Sequence, residues 1–176
     1  PQWRGFGLAV QSYQTRALQV VDEVARIARA QGLHFMVRLV KGAYWDGEIK
    51  RAQEAGLAGY PVFTHKHHTD ISYLACARAL VGHADVIYPQ FATHNAGTIA
   101  AILQMARSGG ARFEMQRLHG MGEPLYREVM AASDVPVRVY AHSFWISEGQ
   151  KMSKSLGNFV DLEKIDQFVA TFGLDA

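Results

Sequence analysis

An α/β fold, an incomplete (β/α)8 barrel with a short helical C-terminal tail, is predicted from three features of this sequence. Short β-rich runs alternate strictly with longer amphipathic runs, and that alternation implies a parallel sheet covered by helices. The polar residues at or near the predicted strand ends, Gln11, Arg38, Thr64, Gln90, Gln116 and Tyr140, recur about every 26 residues, a regularity that favours a ring over an open sheet. About six strands can be found, where a complete barrel has eight.

The first strand is expected over residues 6–11, followed by a helix over 15–31 with apolar residues three and four apart. The run Phe35-Met36-Val37-Arg38-Leu39-Val40 gives a second strand over 35–40, and a helix over 47–55 follows it. A third strand is expected over 61–64 before an Ala-rich helix over 71–81, and a fourth over 86–90 before a helix over 96–108. Strands over 113–116 and 136–140 flank the last barrel helix, over 123–132. In such a barrel the strand-end residues converge on one mouth, where ligands bind. After Tyr140 the pattern changes to a hydroxyl-rich, lysine-bearing loop over 141–158 and an amphipathic run over 161–172. The boundary is placed at residues 139–141, giving a barrel part over 1–140 and a tail over 141–176.

Composition narrows the function classes. Eighteen Lys and Arg against sixteen Asp and Glu, without a basic run, argue against nucleic-acid binding by the barrel and against a general membrane-surface role. No apolar run approaches the roughly 20 residues of a membrane span, and no signal peptide is visible. Cys76 is the only cysteine, so a reducing, cytoplasmic setting is expected, with the thiol buried and inert. The sequence starts at Pro1 without a methionine and stops without a helix-closing signal, so it is expected to be a fragment at both ends.

The motifs carry the sharper information. They are Gln11-Ser12-Tyr13-Gln14, the run from Arg38 to Trp45 continuing to Gln53, Gly59-Tyr60-Pro61-Val62-Phe63-Thr64, Ser72-Tyr73-Leu74-Ala75-Cys76-Ala77-Arg78, Ile87 to Asn95, and Gln116-Arg117-Leu118-His119-Gly120-Met121-Gly122-Glu123. Together they make residues from about 5 to 140 resemble the proline dehydrogenase domain of the bifunctional bacterial flavoenzymes called proline utilization A. The resemblance implies FAD as cofactor, held at the strand ends by Gln11, Arg38, Val40, Gly42 and Trp45. Thr64, Lys66, Thr93, His94, Asn95 and Gln116 complete the implied flavin contacts. The residue types suit those roles: Arg38 can stabilise an anionic reduced flavin, Gly42 admits close backbone approach, and Lys66 offers a point charge to a pyrophosphate.

By the same resemblance Tyr44, Leu118 and Tyr140 line the substrate pocket. The implied reaction oxidises L-proline to 1-pyrroline-5-carboxylate, with electrons passing through FAD to a membrane quinone. The enzyme would be cytoplasmic and peripheral at the inner membrane during electron transfer. The sequence also departs from the family. Its first two strands, bearing an active-site lysine and aspartate, and its last helix, bearing paired arginines for the substrate carboxylate, have no counterpart here, so activity is expected to be impaired. His65 replaces an expected arginine. His65, His67 and His68 are read as a solvated loop and not as a metal site, for want of further ligands and supporting groups.

The tail has its own signature, Lys151-Met152-Ser153-Lys154-Ser155 followed by Leu156-Gly157-Asn158. It resembles the mobile loop of methionyl-tRNA synthetase, in which Lys151 and Lys154 would stabilise ATP phosphates. The other signature of that class, a His-Ile-Gly-His-type motif, is not in the sequence, so no aminoacylation is expected. The chain is read as a composite of two families, joined near Tyr140-Ala141, with flavin-dependent proline oxidation the leading function. A synthetase fragment and an inactive chimera are the alternatives.

Overall fold

The computed structural model describes residues 6–107, 110–141, 146–147 and 150–151. It divides into two compact units, residues 1–140 and 141–176. The first contains β1 (Gly7–Gln11), α1 (Ala17–Gln31), β2 (Phe35–Val40), α2 (Trp45–Glu54), α3 (Lys66–Gly82), β3 (Ile87–Ala92), α4 (Ala96–Arg107), β4 (Glu114–Leu118), α5 (Glu123–Ala132) and β5 (Val137–Tyr140). The described part of the second is an antiparallel pair, β6 (Ile146–Ser147) with β7 (Gln150–Lys151). The helix expected over 161–172 lies outside the described residues.

The five strands of the first unit form one parallel sheet in the order β1-β2-β3-β4-β5. This sequential order follows from right-handed crossovers that always return to the same side of the sheet. Period-two alternation then gives the sheet two different faces. Val10, Val37, Leu39, Ile87, Phe91 and Met115 point to one face and are buried with Val21, Ala25, Cys76, Leu80, Ile102 and Tyr126 from the helices. The helix α1 shows how this works locally. Its buried residues Ala17, Val21, Val24, Ala25 and Ala28 recur at helical spacing, and Gly32 ends it in the left-handed conformation at φ 61°. Cys76 lies in this core, where burial pushes its thiol above the ordinary range, as expected for an inert cysteine.

One expected strand is not there. Residues 61–64 form no strand, and β2 pairs directly with β3, Phe35 opposite Ile87. The segment is instead a strap fastened to the loop after β1. Thr15 N–H donates to the Pro61 carbonyl at 3.0 Å and Phe63 N–H to the Tyr13 carbonyl at 2.8 Å, with a single antiparallel bridge between Gln14 and Val62. Pro61 has no N–H for a ladder, and the edge of β2 is already taken. The sheet therefore has five described strands, not six. The 26-residue recurrence breaks between β2 and β3, where two helices intervene, and Thr64 is not a strand-end residue.

The Arg38 guanidinium carbon on β2 lies 4.5 Å from the centre of the Tyr140 ring on β5, so these two side chains meet across the face opposite to the helices.

Candidate functional site

The face opposite to the helices carries a polar cluster at positions that alternate with the core: Gln11 on β1, Arg38 on β2, Gln90 on β3, Glu114 and Gln116 on β4, and Arg138 and Tyr140 on β5, among the apolar Ala9, Met36, Val40, Ala92 and Leu118. At its centre is Glu114, 1% exposed. Its Oε1 accepts hydrogen bonds from Gln90 Nε2 at 2.9 Å and Gln116 Nε2 at 2.7 Å, and its Oε2 accepts one from Arg138 Nε at 3.1 Å. Gln116 Nε2 also lies 3.5 Å from the Tyr140 hydroxyl. Arg38 packs its cation on the Tyr140 ring while its buried Nε has no hydrogen-bond partner. A buried donor without an acceptor is rare in a folded protein, and here it marks a place for an acceptor that the described residues do not supply.

Beside this face, where the chain leaves β2, lies a cavity of about 380 Å3 lined by Tyr13, Lys41, Gly42, Trp45, Phe63, Thr64, Lys66 and Thr69. Gly42 has φ 132°, and a Cβ on it would stand 2.5 Å from the Tyr13 ring. Only glycine fits between the β2 end and this aromatic wall. Trp45 begins α2 and fixes its ring by donating from Nε1 to the Phe63 carbonyl at 2.8 Å. Asp70 accepts from both lysines, from Lys41 and from Lys66 at 2.7 Å, and they hold its carboxyl below the usual range, Lys41 contributing most. Two cations shared by one carboxylate leave a net positive charge at the wall of the cavity.

The strand ends of β3 and β4 are knitted to each other. The Tyr126 hydroxyl, from α5, lies 2.6 Å from the Thr93 carbonyl and 3.1 Å from the Gln116 carbonyl. Leu118 N–H donates to His94 Nε2 at 3.2 Å. The Asn95 side chain caps α4 by accepting from Thr98 N–H at 2.9 Å, and Thr93 Oγ1 accepts from Asn95 N–H at 3.2 Å. Thr93, His94 and Asn95 therefore shape the turn that leads out of β3.

The structure thus brings the predicted residues together in three groups: Arg38, Gln116 and Tyr140 on the polar face, Gly42, Trp45, Thr64 and Lys66 around the cavity, and Thr93, His94, Asn95 and Leu118 at the β3–β4 ends. Gln11 and Val40 are register partners at the ends of β1 and β2. Tyr44 stands 71% exposed and is not among the cavity-lining residues. Lys151 falls in β7, its side chain not described, and Lys154 lies outside the described residues. Among the described residues no group of His, Cys, Asp or Glu is arranged to hold a metal ion, although the His65, His67 and His68 rings are neighbours with centroids 4.4 to 5.5 Å apart. Sequence reasoning missed Tyr13, Lys41 and Glu114 as site residues. Glu114 had a signal, since it lies two residues before Gln116 on the same face of a strand.

The polar face offers a cation with one unbonded buried nitrogen, and the neighbouring cavity offers aromatic walls and lysines. A family profile described as proline dehydrogenase matches residues 1–143. A second, described as class I tRNA synthetases for methionine, matches residues 116–176, so the two overlap on β4, α5 and β5. The bifunctional protein PutA of Escherichia coli K12 is 51% identical over 146 residues, 79% of this chain but 11% of that protein. A crystal structure of a Bradyrhizobium japonicum proline utilization A mutant superposes with a TM-score of 0.73 at 58% identity, over 80% of this chain and 14% of that one. The methionine–tRNA ligase of Rhizobium meliloti is 44% identical over 59 residues, 34% of this chain and 11% of that protein.

Proposed function

The chain belongs to the proline dehydrogenase family, and from that membership we propose that residues 6–140 are the FAD-binding arc of a (β/α)8 barrel that oxidises L-proline to 1-pyrroline-5-carboxylate. The observation that carries this reading is the buried Arg38 Nε without a partner, on the polar face where its cation packs on the Tyr140 ring. The sequential order of the parallel strands supports closure into a barrel. The chain spans 11 to 14% of the length of the relatives described above, so the activity, substrate and acceptor of the whole proteins come to it as proposals.

When bound, FAD supplies the two-electron acceptor for the bond between the proline nitrogen and its neighbouring ring carbon. The chain supplies orientation and charge. Arg38 places a fixed cation in a partly dry site, where it favours negative charge on a ligand. Lys41 and Lys66 would hold the pyrophosphate at the cavity wall beside Gly42. Gln116 and Gln11 would contact the ring system, Leu118 would form an apolar wall, and Tyr140 would position the substrate ring, with Tyr44 at the rim. Arg138 is the remaining cation on the face able to meet a substrate carboxylate, but it is already paired with Glu114. Proline is therefore held weakly and turnover is impaired. The final electron acceptor is a quinone, reached from the cytoplasmic side at the inner membrane. No described helix is long and apolar enough to cross a membrane.

The reading is tested by adding FAD to the purified full chain and following the flavin absorbance during titration with L-proline under anaerobic conditions. Bound flavin that bleaches slowly, and an Arg38→Met variant that binds flavin without bleaching, are the expected results. A chain that takes up no flavin sinks the reading. Residues 141–176 are proposed to be a joined synthetase segment without activity, and methionine-dependent exchange of pyrophosphate into ATP by the purified chain would overturn that.

A further inference from the structure

Glu114 lies on the ligand-facing side of the sheet, although a buried carboxylate is expensive to keep. A carboxylate has acceptors only, so the two glutamines beside it have no choice of orientation. Gln90 and Gln116 must both turn their nitrogens inward, to Oε1, at 2.9 and 2.7 Å. Their carbonyl oxygens are thereby directed away from Glu114, and among the described residues no donor reaches either oxygen. Arg138 holds the second carboxylate oxygen at 3.1 Å, which keeps the carboxylate from rotating.

We propose that Glu114 is a positioning residue: by binding both amide nitrogens it makes Gln90 and Gln116 present carbonyl oxygens to the ligand, so that the ligand edge received here carries an N–H donor. This assignment rests on the flavin reading above and deepens it. The oxidised flavin ring has a single ring N–H, the imide of its pyrimidine end, flanked by carbonyls. An amide oxygen matches that N–H, and Arg38, with its free Nε, has the opposite polarity needed by a carbonyl. A glutamine free to flip would accept either pattern and would confer no such preference.

Two ligands separate the possibilities: FAD, and FAD methylated at the imide nitrogen. Each is titrated into the full chain and into Glu114→Gln, with flavin fluorescence quenching as the readout. The unsubstituted chain is expected to prefer FAD about tenfold, the effect of one well-placed hydrogen bond. Glu114→Gln cannot accept from Gln90, Gln116 and Arg138 at once, so its preference is expected to fall to within about twofold. Gln90→Met keeps the side-chain volume, leaves Glu114 in place and removes one carbonyl oxygen. It should lower the preference too, and it decides the question if Glu114→Gln does not fold. Variants that weaken both flavins in equal ratio would make Glu114 a purely structural carboxylate and overturn the proposal. An unsubstituted chain that binds both flavins equally overturns the proposal alone, whereas one that binds neither overturns the flavin reading and the proposal with it.

Discussion

Replacing Tyr126 by Phe removes one hydroxyl from the core and tests the tie between the β3 and β4 ends. The side chain is completely buried. Its hydroxyl is shared between the Thr93 carbonyl at 2.6 Å and the Gln116 carbonyl at 3.1 Å. Burial pushes the phenol up to about 12, so it remains a donor throughout the neutral range. Phe fills the same space, and the loss is then that of a short hydrogen bond plus carbonyls deprived of their donor, about 2 kcal/mol. For a domain of this size that corresponds to a fall in Tm of about 8 °C. Urea unfolding followed by circular dichroism should show a lower midpoint with an unchanged slope. Tyr73→Phe is the internal control, since Tyr73 is equally buried but its hydroxyl lies 3.2 and 3.4 Å from its two carbonyls. It should cost about 1 kcal/mol. If Tyr126→Phe costs less than Tyr73→Phe, hydrogen-bond length does not set the strength of these ties and the reasoning fails.

Three further outcomes are expected. Gly42→Ala puts a Cβ 2.5 Å from the Tyr13 ring at a φ of 132° and should destabilise by at least about 2 kcal/mol, seen as a lower urea midpoint together with loss of flavin uptake. Asp70 is held below its ordinary 3.8 by Lys41 and Lys66, so its contribution to stability is present above that pH and is lost as pH falls through the lower folded value. The stability difference between the unsubstituted chain and Asp70→Asn should therefore be constant near neutrality and close under acid conditions, and urea midpoints across that range would contradict this if the difference widened. The Cys76 thiol should resist an aromatic disulfide reagent in the folded chain and react fully in denaturant; rapid reaction with the circular dichroism spectrum intact would mean that the core around it opens.

Most of the fold was legible because the helices and the sheet core follow simple periods. The strands at β1, β2, β3, β4 and β5 and all five helices of the first unit fall within a few residues of their expected places. The exception is residues 61–64, where Pro-Val-Phe-Thr reads equally well as a strand or as an apolar strap. What decides between them is whether a sheet edge is available, and that depends on Phe35 meeting Ile87, a contact between residues far apart in sequence. The helix α3 also begins earlier than its apolar periodicity indicates, because Lys66, His67 and His68 form an exposed first turn without apolar residues. The polar strand-end residues were legible as a set, but their division of labour was not. Thr93 and Asn95 bond to their own turn, while Glu114, the hub of the polar face, was hidden as a charge next to a core methionine.

The strap over residues 61–63 makes the wall of the cavity separable from the sheet. Two backbone hydrogen bonds to the loop after β1, the Thr15 hydroxyl bond to the Pro61 carbonyl and the Trp45 indole bond to Phe63 fasten it, whereas the strands behind are joined by full ladders. Few bonds hold it, so it opens at a lower free energy than the sheet unfolds. Amide exchange at Phe63 and Thr15 should consequently be faster than at Leu39 and Phe91, and should slow when a ligand occupies the cavity. Part of the cavity wall and a weakly fastened segment are then the same piece of chain, and occupancy would be read directly as protection of that piece.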